Sequence, residues 1–270
     1  MNKETAKRII PAPIWRFGSK TYWAWYNRGQ HVVARTFSPR WRQSIDQLEK
    51  YRDAHTGQRC FIIGNGPSLR QTDLSLLKNE FTFGLNRVFL LFPVLGFSTS
   101  CLVSVNDLVA KQSAMEMKQL DLPKFLTWRV RRWFKDDPGT IFLDTDYTGE
   151  ENFSGDARRR LFEGFTVTYV AMQLAFYMGF HQAILIGVDH NFTSKGQANK
   201  AVVSEGDDLN HFAPNYFGKG FKWQLPDLEG NERAYRMAHE AYSQAGRSIV
   251  DATVGGKLTI FPKVEYNSLF

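Results

Sequence analysis

The residues best suited to chemistry stand where apolar runs stop abruptly. Cys60-Phe61-Ile62-Ile63 breaks into Gly64-Asn65-Gly66-Pro67-Ser68. Such a run reads as a buried strand, and in an open α/β sheet ligands bind just beyond the carboxyl ends of strands. Gly64 and Gly66 allow backbone to approach a ligand closely. Pro67 suits the first turn of a helix, and a helix start there favours a phosphate. The pattern equally fits a plain tight turn. Asn86 and Asn106 end two further runs. A carboxamide carries donors and acceptors and can read sugar hydroxyls or a base edge without charge, although a single Asn at a turn is more often a backbone cap. Asp189 ends the most apolar run, where a carboxylate can bind a ribose hydroxyl, hold a metal, act as a base or simply cap the next segment. His211, within Asn210-His211-Phe212-Ala213-Pro214-Asn215-Tyr216-Phe217, is a candidate general base.

Other chemistries lack their residues. The six histidines and two cysteines show no zinc spacing, so no metal site is expected. There is no Walker loop and no Gly-x-Ser-x-Gly elbow. Cys60 and Cys101 lie in strand-like stretches and read as buried thiols.

Elements that could position these groups are predicted from periodicity. A helix is predicted over 44–55. Strands are predicted over 81–86, 100–106, 124–129, 140–143, 182–188 and 248–252, and helices over 107–120, 167–178 and 229–245. Gly179 and Gly246 fall where helix C-caps belong. The alternation predicts an α/β fold, a mostly parallel sheet with helices on both faces. Residues 190–224 lack periodicity and read as a lid insertion or as a disordered surface loop. The expected organisation is a basic aromatic arm and helix over 1–55 and one α/β domain over 56–270.

Charge separates the arm from the rest. Residues 1–42 hold nine Lys and Arg against Glu4 alone, while the remainder holds 25 basic and 26 acidic residues. Trp15, Trp23, Trp25 and Trp41 lie in the same stretch. Basic residues interleaved with aromatics suit an anionic membrane surface. They also suit nucleic acid, which is less expected, or an extension wrapped over the domain. No run of eighteen apolar residues and no signal-peptide core occur, so the expected location is cytoplasmic, peripheral at the inner membrane face.

Ile62-Ile63-Gly64-Asn65-Gly66-Pro67-Ser68-Leu69 resembles the opening motif of bacterial Cst-type sialyltransferases. It is also similar to the wider MptE-like family, named for an archaeal 6-hydroxymethylpterin diphosphokinase and including motility-associated factors linked to flagellin glycosylation. Gly84-Leu85-Asn86, Thr166-Val167-Thr168-Tyr169, the segment 179–189 ending in Gly187-Val188-Asp189, and the segments 210–217 and 251–258 extend the likeness from about Arg59 to the C-terminus. The resemblance implies a single Rossmann-like domain with a lid that binds a nucleotide-activated donor. It carries nucleotide contacts over to Asn65 and Asn86, to Thr166 and Thr168, and less directly to Asn106. The expectation is a glycosyltransferase that uses a nucleotide sugar, CMP-linked and sialic-acid-like, on a glycan or protein acceptor. It needs no cofactor, with His211 as base and Asp189 orienting donor or acceptor. The chain departs from the sialyltransferase pattern after Asp189 and before the last long helix. Two alternatives therefore stand: a diphosphokinase using Mg²⁺ on carboxylates such as Asp107 and Asp189, and a non-catalytic scaffold. Donor sugar, acceptor, linkage and oligomeric state are not specified by these residues.

Overall fold

The computed structural model describes residues 37–148, 152–192 and 196–270. The basic aromatic stretch up to residue 36 lies outside them. The compact unit that carries the sheet is Ser44–Phe270.

Eight strands form one sheet: β1 (Arg59–Ile63), β2 (Thr82–Leu85), β3 (Cys101–Ser104), β4 (Lys124–Thr127), β5 (Thr140–Asp146), β6 (Arg160–Phe162), β7 (Gln182–Ile186) and, last in the chain, Ser248–Asp251. Two short strands of a separate hairpin come between these, β8 (Ala201–Val203) and β9 (Lys222–Gln224), so the last sheet strand is β10. The sheet order is β10-β7-β1-β2-β3-β4-β5-β6, and every pairing in it is parallel. This is the α/β architecture that the alternation of elements predicts.

Strand residues alternate between two buried faces. Cys60 and Ile62 of β1, Phe83 of β2, Val103 of β3 and Leu185 of β7 enter one hydrophobic core. Phe61, Leu102, Phe142 and Ile184 point the other way and are equally buried. The core face is covered by α5 (Val167–Tyr177) and α6 (Leu228–Gln244), with Leu48 and Tyr51 of α1 (Pro39–Tyr51) packed alongside. On the opposite face Phe270 stacks on Phe61 at 5.8 Å. The intervening helices are short: α2 (Phe92–Leu95), α3 (Asp107–Gln112) and α4 (Ala114–Lys118). The single helix predicted over 107–120 is thus two, joined at Ser113.

The order of the strands creates the site. From β1 the chain steps outward through β2 to β6, then returns across the core face as α5 and enters on the far side of β1 as β7. Strand order therefore reverses between β1 and β7, and the crevice at such a switch point is where ligands of open α/β sheets bind. Pairing continues past the strand ends there, as Gly64 N donates to Ile186 O at 2.8 Å and Gly66 N to Gly187 O at 2.9 Å. Above this edge stands the 190–224 segment. It is an antiparallel hairpin of β8 and β9 with an aromatic cluster in which Phe217 stacks on Phe221 and Trp223 and meets Tyr216 edge-on. Residues 193–195 of the segment lie outside those described.

No helix of the described residues is long and apolar enough to cross a membrane.

Candidate functional site

A cleft of about 150 Å³ opens at the β1/β7 switch point. Its floor is the glycine turn after β1, its walls are the ends of β2 and β7 and the start of α5, and its roof is the hairpin segment. Of the sequence-predicted residues, Gly64, Asn65, Gly66, Asn86, Thr166, Thr168, Asp189 and His211 line it.

The glycine turn is clamped onto the β7 loop. Ser68 donates its backbone N–H to Asp189 Oδ1 at 3.0 Å and its hydroxyl to Asp189 Oδ2 at 2.7 Å. A Cβ on Gly66 would lie 1.7 Å from Asp189 Oδ2, and one on Gly64 would lie 2.2 Å from Gly187 O. The neighbouring loop therefore requires glycine at both positions, and both line the cleft. Asp189 spends both oxygens on Ser68. Burial pushes its carboxyl above the ordinary range while the two Ser68 donors pull it back. Its geometry is that of a clip holding the turn. Pro67 opens a short 3₁₀ turn, and Ser68 lies buried beneath it. Neither forms part of the cleft wall.

Polar residues line the space that remains. The Asn65 Oδ1 atom is buried and has no hydrogen-bond partner, which in a closed structure costs about 1–3 kcal/mol. Asn86 adopts a left-handed backbone, φ 50°, and its Oδ1 accepts from Ser104 Oγ at 2.9 Å. That bond leaves the two N–H donors of its amide for the cleft. Thr166 caps α5, accepting from Thr168 N at 3.3 Å, so the N-terminal end of an eleven-residue helix meets the cleft. Asn106 stands elsewhere. Its Oδ1 caps α3 through Leu108 N and Val109 N, its Nδ2 reaches Gln224 Oε1 at 3.3 Å, and it does not line the cleft.

The hairpin segment is pinned to the strand ends. Arg70 donates through Nε to Phe212 O at 2.8 Å and through Nη2 to His211 O at 2.9 Å, and Phe212 N returns a bond to Asn65 O at 2.9 Å. Arg87, directly after Asn86, donates through Nη1 to Tyr216 O. His211 is thereby held over the glycine turn. Its ring stacks on Tyr216 at 4.0 Å, and its Nδ1 lies 2.8 Å from Asp208 Oδ2. With Nδ1–H given to that carboxylate, Nε2 carries the lone pair, the arrangement of a general base.

Residues that sequence reasoning did not select complete the wall: His190, Asn191, Phe192, Asn210, Asn231 and Tyr235. His190 Nε2 lies 3.1 Å from Glu232 Oε1, and Tyr235 lines the cleft together with Thr166 and Thr168. Asn231 donates to Asp227 O and Phe165 O when its amide is set to satisfy both. The signal for Asn231 and Tyr235 was their spacing of four, which places two polar groups on the buried face of α6.

The carboxylates named for Mg²⁺ do not converge. Asp107 is paired with Arg129 Nε at 2.9 Å and is absent from the cleft, and Asp189 is engaged by Ser68. Among the described residues no group of three His, Cys, Asp or Glu side chains could hold a metal ion.

Residues 37–195 match the family model described as 6-hydroxymethylpterin diphosphokinase MptE-like. The chain belongs to the MptE-like family. The match runs from α1 through the glycine turn and α5 to the loop beyond Asp189, so it takes in most of the cleft of this MptE-like protein. The fold is similar to that in the structure of MAf glycosyltransferase from Magnetospirillum magneticum AMB-1, with a TM-score of 0.51 and 16% identity over 85% of this chain. The matched region is 39% of the neighbour's length, and at that identity the likeness is one of fold. No curated protein matches the chain.

Proposed function

We propose that this MptE-like protein is a glycosyltransferase that takes its sugar from a nucleotide, with a CMP-linked, sialic-acid-like sugar as the favoured donor. The observation that carries the reading is the make-up of the cleft wall. Five asparagines, two threonines, a tyrosine, two histidines and Asp189 line the space, and no Lys or Arg is among the described lining residues. Carboxamides and hydroxyls suit the hydroxyls of a sugar and the edge of a base. A wall without fixed cations suits one phosphodiester better than a diphosphate or triphosphate, whose charge calls for Lys, Arg or a bound metal.

The fold shared with the MAf glycosyltransferase supports the same reading. The family's description favours the second one, a diphosphokinase. That reaction needs Mg²⁺ bridging a triphosphate, and the placement of Asp107 and Asp189 argues against it.

In the proposed displacement, His211 Nε2 takes the proton of the acceptor hydroxyl as its oxygen attacks the anomeric carbon. Asp208 keeps the ring in the tautomer that can accept it. The N–H donors of Asn86 and the Tyr235 hydroxyl face the donor. The acceptor is a glycan or a protein, and the basic aromatic arm brings the enzyme to an anionic membrane surface where acceptors gather. No resident cofactor takes part in this reading. Incubating the protein with CMP-linked sugars should release CMP at the same rate with and without EDTA. Release that vanishes with EDTA, or ATP-dependent diphosphate transfer in its place, would overturn the reading.

A further inference from the structure

The proposed displacement uses His211 but leaves unassigned the other imidazole of the cleft, His190. Its side chain is 8% exposed and its Nε2 lies 3.1 Å from Glu232 Oε1. Glu232 is held in turn by Arg236 Nη2 at 3.0 Å. The His190 backbone is left-handed, φ 53°, a conformation that costs a non-glycine residue energy and that clusters at functional sites. It turns the ring toward α6 instead of along β7. The ring therefore stands in the cleft with Nε2–H given to a carboxylate and Nδ1 uncommitted, close to Tyr235 at 6.5 Å between ring centroids.

Charge balance then separates the two histidines. His211 must start neutral to accept a proton. The leaving nucleotide goes from one negative charge as a phosphodiester to two as a monoester. Among the described lining residues only an imidazole can supply a compensating positive charge. We infer that His190, oriented by Glu232, is the phosphate-binding cation of the cleft and stabilises the departing nucleoside monophosphate. In the step itself the acceptor oxygen bonds to the anomeric carbon and the carbon–oxygen bond to phosphate breaks, its electron pair passing to the phosphate oxygen. The hydroxyl proton moves to His211 Nε2, and His190 Nδ1–H donates a hydrogen bond to the phosphate without giving up its proton. Glu232 touches no substrate and acts as a positioning residue through its bond to Nε2. The hydrogen bond from His190 holds the Glu232 carboxyl below the ordinary range.

This inference rests on nucleotide binding in the cleft, and the test separates the two. Full-length protein is titrated calorimetrically with CMP, UMP, GMP and AMP and with the four matching nucleosides. The wild type should bind one monophosphate more tightly than its nucleoside. His190→Ala should shrink that ratio about tenfold, the worth of one charge-assisted hydrogen bond, while the nucleoside binds as before. His190→Gln, which keeps a neutral polar group, should shrink it nearly as far and serves if the alanine variant does not fold. Glu232→Gln should reduce the ratio less and lower kcat more than it raises KM. Asn65→Ala should weaken nucleoside and monophosphate alike, leaving the ratio intact. A wild-type ratio near one, or a ratio unchanged in both His190 variants, overturns the phosphate role and leaves nucleotide binding standing. Failure to bind any of the eight compounds overturns both.

Discussion

Replacing His211 by alanine should lower glycosyl transfer by about 10²–10⁴-fold, the range that positioned general bases contribute, while nucleotide affinity stays nearly unchanged. The expectation comes from where the ring is held. Arg70 grips the carbonyls of His211 and Phe212, Tyr216 lies flat against the imidazole, and Asp208 takes Nδ1. The backbone anchors survive the substitution, so the segment should keep its place and only the proton acceptor is lost. Added imidazole should restore part of the rate to His211→Ala. Asp208→Asn, which keeps the shape but favours the wrong tautomer of the ring, should lose up to about 10⁴-fold in kcat with little change in KM, as the same change does beside a general-base histidine. Steady-state rates of CMP release with acceptor present decide this. A His211→Ala enzyme within a few-fold of wild type would remove His211 from the mechanism.

The second large effect is expected at Gly66. Alanine there places a methyl group 1.7 Å from Asp189 Oδ2 and 2.9 Å from Gly187 O. The Asp189 carboxylate must leave Ser68, and a half-buried carboxylate without its two donors is costly. A loss of about 2–4 kcal/mol of folding stability is expected, together with loss of measurable nucleotide binding, because the turn carries Asn65. The two residues should be coupled. In an Asp189→Ala background the obstructing oxygen is gone, and Gly66→Ala should add much less than it costs alone, a non-additivity that a double-mutant cycle measures by urea unfolding. Strict additivity would mean that the clip between the two loops is not what confines Gly66.

The sheet was legible because its strands are short apolar runs ended by Gly, Asn or Asp, the pattern of strands buried on both faces. β6 was not. Its sequence, Arg160-Leu161-Phe162, comes after two further arginines and reads as a charged loop. It forms because Arg160 pairs with Asp144 and Asp146 of β5 at 3.3 and 3.7 Å, which allows a charged edge strand. The β8–β9 hairpin was hidden for a related reason. Its strands are three residues each, and the order of residues 204–221 comes from aromatic stacking that has no period along the chain.

The site was legible as positions more than as roles. Asn65, Asn86, Thr166 and Asp189 stand at ends of elements, and topology brings such ends to one edge. Which of them faces empty space depends on bonds formed with distant residues. Asn106 looked equivalent to Asn86, yet it is spent as a helix cap and Asn86 is freed by Ser104. Asp189 looked like a chemical group, yet Ser68 takes both its oxygens. His190 and Tyr235 were missed because each belongs to a segment whose pattern is explained without a ligand.

Asn65 offers the most direct test of the whole account. Its buried Oδ1 lacks a partner, so an alanine there removes an unsatisfied polar atom and should leave the thermal midpoint unchanged or slightly raised. If the glycine turn cradles a nucleotide, calorimetric titration of CMP into Asn65→Ala should show affinity about tenfold weaker than in the wild type, at equal or higher stability. Equal CMP affinity in the two proteins would contradict the account, because the polar atom that the fold leaves waiting at the switch point would then have nothing to bind.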